Sequence, residues 1–380
     1  MKCLFVFEGG AGAIMPLVPL THALRGAGHE VLAAAYPGAV PVLQRAGIPT
    51  VPAPRRAPGE YRDIPHQGSL DGDLEERALA LGAMGAHIAA DTRTELLALA
   101  SRWRPDLIVG GPLAYAAPLL SADLQVPYVA VEFGHAEPLN WHLATLAELT
   151  RLGYDTLPEP ARTFILTPEV LRHGADDPFM RYIEGEPMRF LPYSPVRQVE
   201  PWMTARGSRP RVCVSAGSRV SGEYGLDHLT DLIDAAAALD VELLIAAPDE
   251  LAARTGPLPK NTRMGWMPYD VLGPTCDLAV HHAGGSTTLC FAASGVPQVI
   301  VPSTCEFEGY VSPLSGTGAV KVLPADGYTP ADIVSACTDV LADPSFRGAA
   351  ERLRAQLNAA PTPHAVVGRL EDAAAAAVGA

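Results

Sequence analysis

The sequence predicts an α/β protein of two Rossmann-like, doubly wound domains facing across a ligand cleft. Three observations carry this. Short, unbroken apolar runs recur, the pattern of strands buried on both faces of a parallel sheet. Glycine turns and segments with helical apolar spacing follow them. The alternation occurs twice, on either side of a stretch with prolines at 192, 195, 201 and 210.

In the first half, residues 2–8 read as the opening strand, and 16–28 as a helix with Leu17, Leu20, Ala23 and Leu24 on one face. Strand signals follow at 30–36, 103–111 and 126–133, with a second helix at 40–46. Residues 51–72 are proline-rich and aperiodic, too long for an ordinary connection, and are expected to form a functional loop that orients an acceptor. In the second half, strands are expected at 211–217, 241–247, 261–266, 276–282 and 298–302, with helices at 226–239 and 288–295. The domains expected are 1–195, a proline-rich linker 196–210, a second domain 211–365, and a terminal helix and tail 366–380. Two such halves place a ligand at the carboxyl ends of the strands.

The 380 residues amount to roughly 2.5 average domains. Forty-two acidic against 28 basic residues give a formal charge of −14, which disfavours nucleic acid as a partner. An apolar fraction of 48% with 18% charged residues excludes a disordered chain. The uncharged stretch 107–122 is short and broken by Pro112 and Pro118, so no membrane span is expected, and the short apolar run before Glu8 leads to no expectation of export. Six scattered cysteines read as buried thiols of a cytoplasmic protein.

Three glycine turns follow strands. The first, 8–16, misses the dinucleotide fingerprint because Met15 stands at the third glycine position and no acid ends the second strand. The second, 215–219, offers the Ser218 hydroxyl to an anion, which alone is a weak signal. The third, 281–288, lies between a buried strand and a helix, so free N–H groups beside Ser286 and Thr287 form an anion site suited to a diphosphate. His281 and His282 point to opposite faces of a strand, so at most one meets the loop. No metal-binding spacing accompanies them, and the Asp71–Asp73 pair stands in a polar loop, so neither metal nor cofactor is expected.

With these motifs the chain resembles the GT-B glycosyltransferases, through residues 16–31, 103–109, 215–218, 265–268, 281–302 and 316–322. Residues 104–111, 200–203, 215–220, 241–249 and 274–285 are similar to actinomycete enzymes that glycosylate aromatic polyketides, notably the urdamycin and landomycin glycosyltransferases of the angucycline group. The resemblance implies a dTDP-deoxysugar donor such as olivose, an aromatic polyketide acceptor, and inverting transfer to oxygen or carbon. It places Trp266 at the donor base. His281, Gly284, Gly285, Ser286 and Thr287 fall on the pyrophosphate loop, Ser218 and Arg219 on a second donor contact, and Glu306 on a sugar hydroxyl. Phe307 replaces a glutamine common in relatives, which fits a sugar lacking hydroxyls.

Gly9, Gly10, Ala11 and Gly12 form the acceptor-side first loop, without the histidine base many relatives carry there. Gly134 stands where several carry an aspartate. His135, Glu132 and Glu137 are the replacement candidates, His135 first because its ordinary pKa lies near neutrality, with Glu8 behind them. A homodimer stands among the allowed partners. The competing readings are a nucleotide-sugar epimerase of the same fold and a non-catalytic nucleotide-sugar-binding helper.

Overall fold

The computed structural model describes residues 1–64, 68–70, 72–134, 138–178, 180–195, 197–215, 217, 225–252, 258, 260–302, 311–325 and 327–378. The chain packs as two units, one of Met1–Thr167, Arg172–Arg189 and Ala360–Ala380, the other of Pro168–Leu171 and Phe190–Ala359. Each is an α/β unit on a parallel sheet.

In the first unit, β1 (Lys2–Phe7), β2 (Glu30–Ala35), β3 (Thr50–Pro52), β4 (Leu107–Gly110), β5 (Tyr128–Glu132), β6 (Arg162–Ile165) and β7 (Glu186–Pro187) pair in the order β3-β2-β1-β4-β5-β6-β7. Leu4 of β1 sits opposite Leu32 and Ile108, and Cys3 to Val6 are fully buried, which is why this segment is apolar without alternation. The helix expected at 16–28 starts earlier. α1 (Ala11–Ile14) runs through a tight turn at Met15–Leu17 into α2 (Val18–Gly26). Pro16 and Pro19 each fall in a first turn, where a missing N–H breaks no helical bond. α3 (Val40–Arg45) precedes β3.

The segment 51–72 is more structured than expected. It begins with β3, makes a helical turn at Pro58–Tyr61, and buries Tyr61, whose hydroxyl donates to Asp91 at 2.8 Å. Asp71 lies outside the described residues, and Asp73 is no metal ligand. It caps α4 (Leu74–Trp103), its carboxylate accepting the Glu76 N–H at 3.0 Å. α5 (Ala116–Leu124) and α6 (Leu139–Arg151) complete this layer, α6 packing against α4.

In the second unit, β8 (Arg211–Ser215), β9 (Glu242–Ala246), β10 (Thr262–Gly265), β11 (Leu278–His281), β12 (Gln298–Ile300) and β13 (Val320–Val322) pair in the order β10-β9-β8-β11-β12-β13. Its helices are α7 (Gly225–Ala237), α8 (Asp249–Ala252), α9 (Tyr269–Leu272), α10 (Gly285–Ala293), α11 (Pro330–Ala342) and α12 (Pro344–Ala359). The core joins Val212, Val214, Leu243 and Ile245 to Leu229, Leu232 and Ile333. Arg211 is almost fully buried. Its guanidinium reaches Glu242 at 2.9 Å and the Trp202 carbonyl at 3.0 Å, so the proline-rich segment is tied to the base of β8.

α13 (Val367–Val378) returns to the first unit, where Glu371 meets His29 at 2.8 Å and Arg369 meets Glu186 at 2.6 Å. Among the described residues no helix is long and apolar enough to cross a membrane. Cys3, Cys213, Cys276, Cys290 and Cys337 are buried free thiols. Cys305 lies outside the described residues.

Candidate functional site

In the second sheet the connections leave β8 and β11 in opposite directions, which opens a crevice at their carboxyl ends. Gly217 follows β8, and residues 282–284 lead from β11 into α10. The His282 ring lies between these turns. A Cβ on Gly217 would come 2.4 Å from His282 Cε1, and one on Gly284 2.7 Å from Nε2. Gly217 also has φ +81, a backbone that glycine adopts freely.

The helix opens without a cap. Gly284 makes no side-chain cap bond, and the first turn of α10 holds no acid. The first helical bond runs from Thr288 N–H to the Gly284 carbonyl at 2.9 Å, leaving the N–H groups of Gly285, Ser286 and Thr287 outside the ladder. Residues 284–287 are half-exposed. An uncapped, accessible helix start at a switch point attracts an anion through its dipole and its N–H groups.

His281, expected to donate to a diphosphate, is fully buried with both ring nitrogens engaged inside the protein. Nδ1 accepts the Ala283 N–H at 3.2 Å, so Nε2 carries the proton and donates to Gln298 Oε1 at 2.7 Å. Gln298 in turn donates to the Thr288 carbonyl at 3.3 Å. Burial lowers the His281 pKa to about 4, so the ring is neutral and shapes the loop from behind. The histidine at the crevice is His282. Strand alternation announced that only one would face the loop, and its phase at the strand end decided which. Ala283 sits at φ +77, a left-handed backbone uncommon for a residue with a side chain.

Trp266 follows β10 at the same end of the sheet. Its backbone N–H donates to Asp249 Oδ1 at 3.2 Å, Asp249 pairs with Arg197 at 2.7 Å, and the Arg197 guanidinium lies 5.5 Å from the Trp266 ring centre. Arg197, at the hydrogen-bonded carboxylate, holds the Asp249 pKa below its ordinary value. Three strand spacings separate β10 from β11, about 14 Å, room for an extended nucleoside diphosphate with its base at Trp266.

The first unit differs at its own switch point, between β1 and β4. The buried Glu8 carboxylate there accepts the Ala116 N–H at the start of α5, at 3.1 Å. Burial raises its pKa to about 8. The buried Glu8 carboxyl thus takes up the Ala116 N–H at the start of α5. Gly9 and Gly10 form the turn, Ala11 and Gly12 belong to α1, and a Cβ on Gly9 would come 2.6 Å from that of Ala13. None of the four carries a titratable side chain.

A cavity of about 660 Å³ in this unit is lined by Tyr115, Tyr128, Glu132, Trp141, His142 and Arg181, among others. Glu132, at the end of β5, is the sequence-derived base candidate found there. Gly134, at φ +87, leaves no room for the aspartate of relatives, since a Cβ would come 2.5 Å from Ile165 Cγ2. Two cavity residues were missed in the sequence, Tyr115 and His142, whose Oη and Nδ1 lie 2.7 Å apart. Twenty-seven positions separate them, and no motif signals the pair. His135, Glu137, Ser218, Arg219, Glu306 and Phe307 lie outside the described residues.

Comparison with known proteins accounts for both units. Residues 22–217 match the N-terminal domain model of the erythromycin biosynthesis protein CIII-like family, and residues 230–373 its C-terminal domain model. The chain is 31% identical over 375 residues to L-demethylnoviosyl transferase of Streptomyces niveus, covering 96% of each chain. It is 30% identical over 400 residues to TDP-daunosamine transferase DnrS of Streptomyces peucetius, covering 94% of this chain and 93% of the relative. The structure of glycosyltransferase SsfS6 from Streptomyces sp. SF2575, complexed with thymidine diphosphate, superimposes with a TM-score of 0.84 at 30% identity, covering 98% of this chain and 99% of that one. The fold is GT-B, and two sheets of this order, an uncapped diphosphate-sized helix start and these likenesses converge: the chain belongs to the erythromycin biosynthesis protein CIII-like family and is a glycosyltransferase.

Proposed function

We propose that the enzyme moves a deoxyhexose, with inversion, from a dTDP-sugar to an aromatic polyketide aglycone or its glycoside, forming a C–O or C–C bond in antibiotic biosynthesis. The single observation that carries this is the crevice of the second unit, where the bare start of α10, the His282 ring and two glycine turns meet. The diphosphate binds the N–H groups of Gly285, Ser286 and Thr287, beside the Ser286 and Thr287 hydroxyls, and the base lies against Trp266. As the sugar departs, negative charge grows on the diphosphate, and dipoles already aimed at it stabilise that state without rearrangement. The donor class is supported by the thymidine diphosphate bound to SsfS6 and by the TDP-daunosamine specificity in the name of DnrS.

The acceptor occupies the cavity of the first unit. Its aromatic side chains, Tyr115, Tyr128 and Trp141, suit a flat, polycyclic acceptor with phenolic groups. An angucycline acceptor and an olivose donor are the narrowest form of the reading and rest on sequence resemblance alone. Chemistry assigns no metal or resident cofactor, because the helix start and His282 take up the charge a cation would meet. Glu132, with His135 and Glu137, is the sequence-derived set for removing the acceptor proton. Ser218, Arg219 and Glu306 complete the proposed donor contacts.

The test incubates the protein with a dTDP-deoxyhexose alone and then with an aromatic polyketide, followed by mass spectrometry. The expected result is glycosylated acceptor and free dTDP only in the second mixture. Epimerised sugar without acceptor would favour an epimerase, and binding without turnover a helper protein.

A further inference from the structure

One wall of the first unit's cavity is α6, which contributes Trp141, His142, Leu146 and Leu149 to the lining. Another side of the same helix packs on α4, and at one residue the two backbones come very close. A Cβ on Gly82 would stand 2.5 Å from the Ala144 Cβ, 2.8 Å from the Thr145 nitrogen and 2.9 Å from the Ala144 carbonyl carbon. Two of those three atoms are backbone, so no side-chain rotation relieves the overlap. About one turn further along α4, Gly85 has room. A Cβ there would stand 3.5 Å from Thr145 Oγ1 and 4.0 Å from Trp141 Nε1, which are ordinary contacts. Glycine weakens a helix interior relative to alanine, so what Gly82 supplies in return is close approach.

Helical geometry turns that contact into a property of the cavity. Ala144 and Leu146 stand about 200° apart around α6, on nearly opposite sides. A push on Ala144 away from α4 therefore carries Leu146 into the cavity. Of the two helices α4 is the more firmly held. Its Ala86, Ala89 and Leu96 share a core with Leu4, Val6 and Ile108 of the sheet, to which α6 adds Leu149. Glu148 of α6 also meets His87 of α4 at 3.0 Å. The later part of α6 is thus pinned, and its first two turns are the part that gives way.

We propose that Gly82 sets the depth of the acceptor cavity: its missing side chain lets α6 lie close to α4 and leaves room for a polycyclic acceptor. The inference rests on the acceptor reading above and names the residue that fixes the acceptor's size class. The cavity, about 660 Å³, has the volume of one that encloses a whole small molecule. A methyl group at position 82 regains ordinary contact with Ala144 only if the wall retreats by roughly 1 Å. Leu146 then narrows the space needed by a flat molecule that spans the cavity, while a small aromatic still fits.

Two measurements decide. Crystal structures of Gly82→Ala and Gly85→Ala read the wall directly. Leu146 is expected to move into the cavity in the first variant and to stay in place in the second. An unmoved α6 in Gly82→Ala overturns the inference whether or not transfer is detected. The second measurement is calorimetric binding of phenols of rising size, from 1-naphthol to a hydroxytetracenequinone, without donor. Gly82→Ala is expected to bind the tetracyclic compound at least roughly tenfold more weakly than wild type does, and naphthol within about twofold. Adding Leu146→Ala to that variant is expected to recover the loss, and Gly85→Ala to bind both compounds as wild type does. An equal loss for both phenols, or the same loss in Gly85→Ala, overturns the inference. If Gly82→Ala does not fold, the pair Gly82→Ala and Ala144→Gly removes the colliding methyl, keeps the backbone overlap and carries both measurements. Failure of that pair to fold also overturns the inference, because Gly82 then serves the fold and not the cavity. A wild-type protein that binds none of the phenols counts against the acceptor reading, and the crystal structures then decide the present inference alone.

Discussion

The His282 ring and Gly217 are so close that a single added carbon would collide, its Cβ lying 2.4 Å from Cε1. The contact joins the loops after β8 and β11 and sets the position of the only imidazole that faces the crevice of the described second unit. Gly217→Ala adds that carbon at a φ of +81 and displaces the ring. Thymidine diphosphate affinity is expected to fall at least roughly tenfold, about 1.4 kcal/mol, by titration calorimetry. Unchanged affinity would mean that the ring takes no part in the donor site.

Ala283 holds a φ of +77 in the same loop. The left-handed conformation costs a residue with a Cβ roughly 1–2 kcal/mol, and glycine offsets part of that gain by the entropy of the unfolded chain. Ala283→Gly is expected to raise unfolding stability by about 0.5–1 kcal/mol, measured by urea denaturation. A less stable variant would show that the methyl group packs usefully and that the loop is not strained.

Glu8 predicts a particular pH dependence. Its carboxyl is raised to about 8 in the folded protein by burial, whereas an unfolded carboxyl ionises in the ordinary carboxylate range. Between those limits the folded state holds a proton that the unfolded state has lost. Folding stability therefore falls as pH rises from about 4.5 to 8 and levels off above. Glu8→Gln keeps an acceptor for the Ala116 N–H and removes the titration. Its melting temperature is expected to change less between pH 5 and pH 8 than that of the wild type; an identical slope would contradict the assignment.

His281 acts in the opposite direction. Its pKa is lowered to about 4, so the unfolded chain binds a proton the folded one refuses. Stability is lost as pH falls from about 6.5 toward 4. His281→Gln is expected to shrink this acid-side loss while reducing stability at pH 7 by roughly 1–3 kcal/mol, because Gln298 is left short of a partner. His142 and His228, both lowered by burial, contribute to the acid sensitivity that remains.

Strands buried on both faces were legible because their apolar runs have no other explanation: β1, β2, β8, β9 and β11 all stand where composition put them. The start of α10 was legible for a similar reason, since glycine, serine and threonine after such a strand leave N–H groups open. The 30-residue α4 was not read. Its core face is largely alanine, Ala80, Ala83, Ala86 and Ala89, which carries little hydrophobic contrast. Its capping signal, Asp73 followed by Glu76, was present. β7 is two residues long and gains its identity only by pairing with β6. The choice between His281 and His282, and the meeting of Tyr115 with His142, depend on tertiary packing, which local pattern does not encode.

The central claim is that the donor diphosphate binds at the bare start of α10. A crystal structure with thymidine diphosphate tests it most directly. Phosphate oxygens are expected within hydrogen-bond distance of the Gly285, Ser286 and Thr287 N–H groups, with thymine against Trp266. Thymidine diphosphate bound elsewhere, with that helix start facing only solvent, would contradict it.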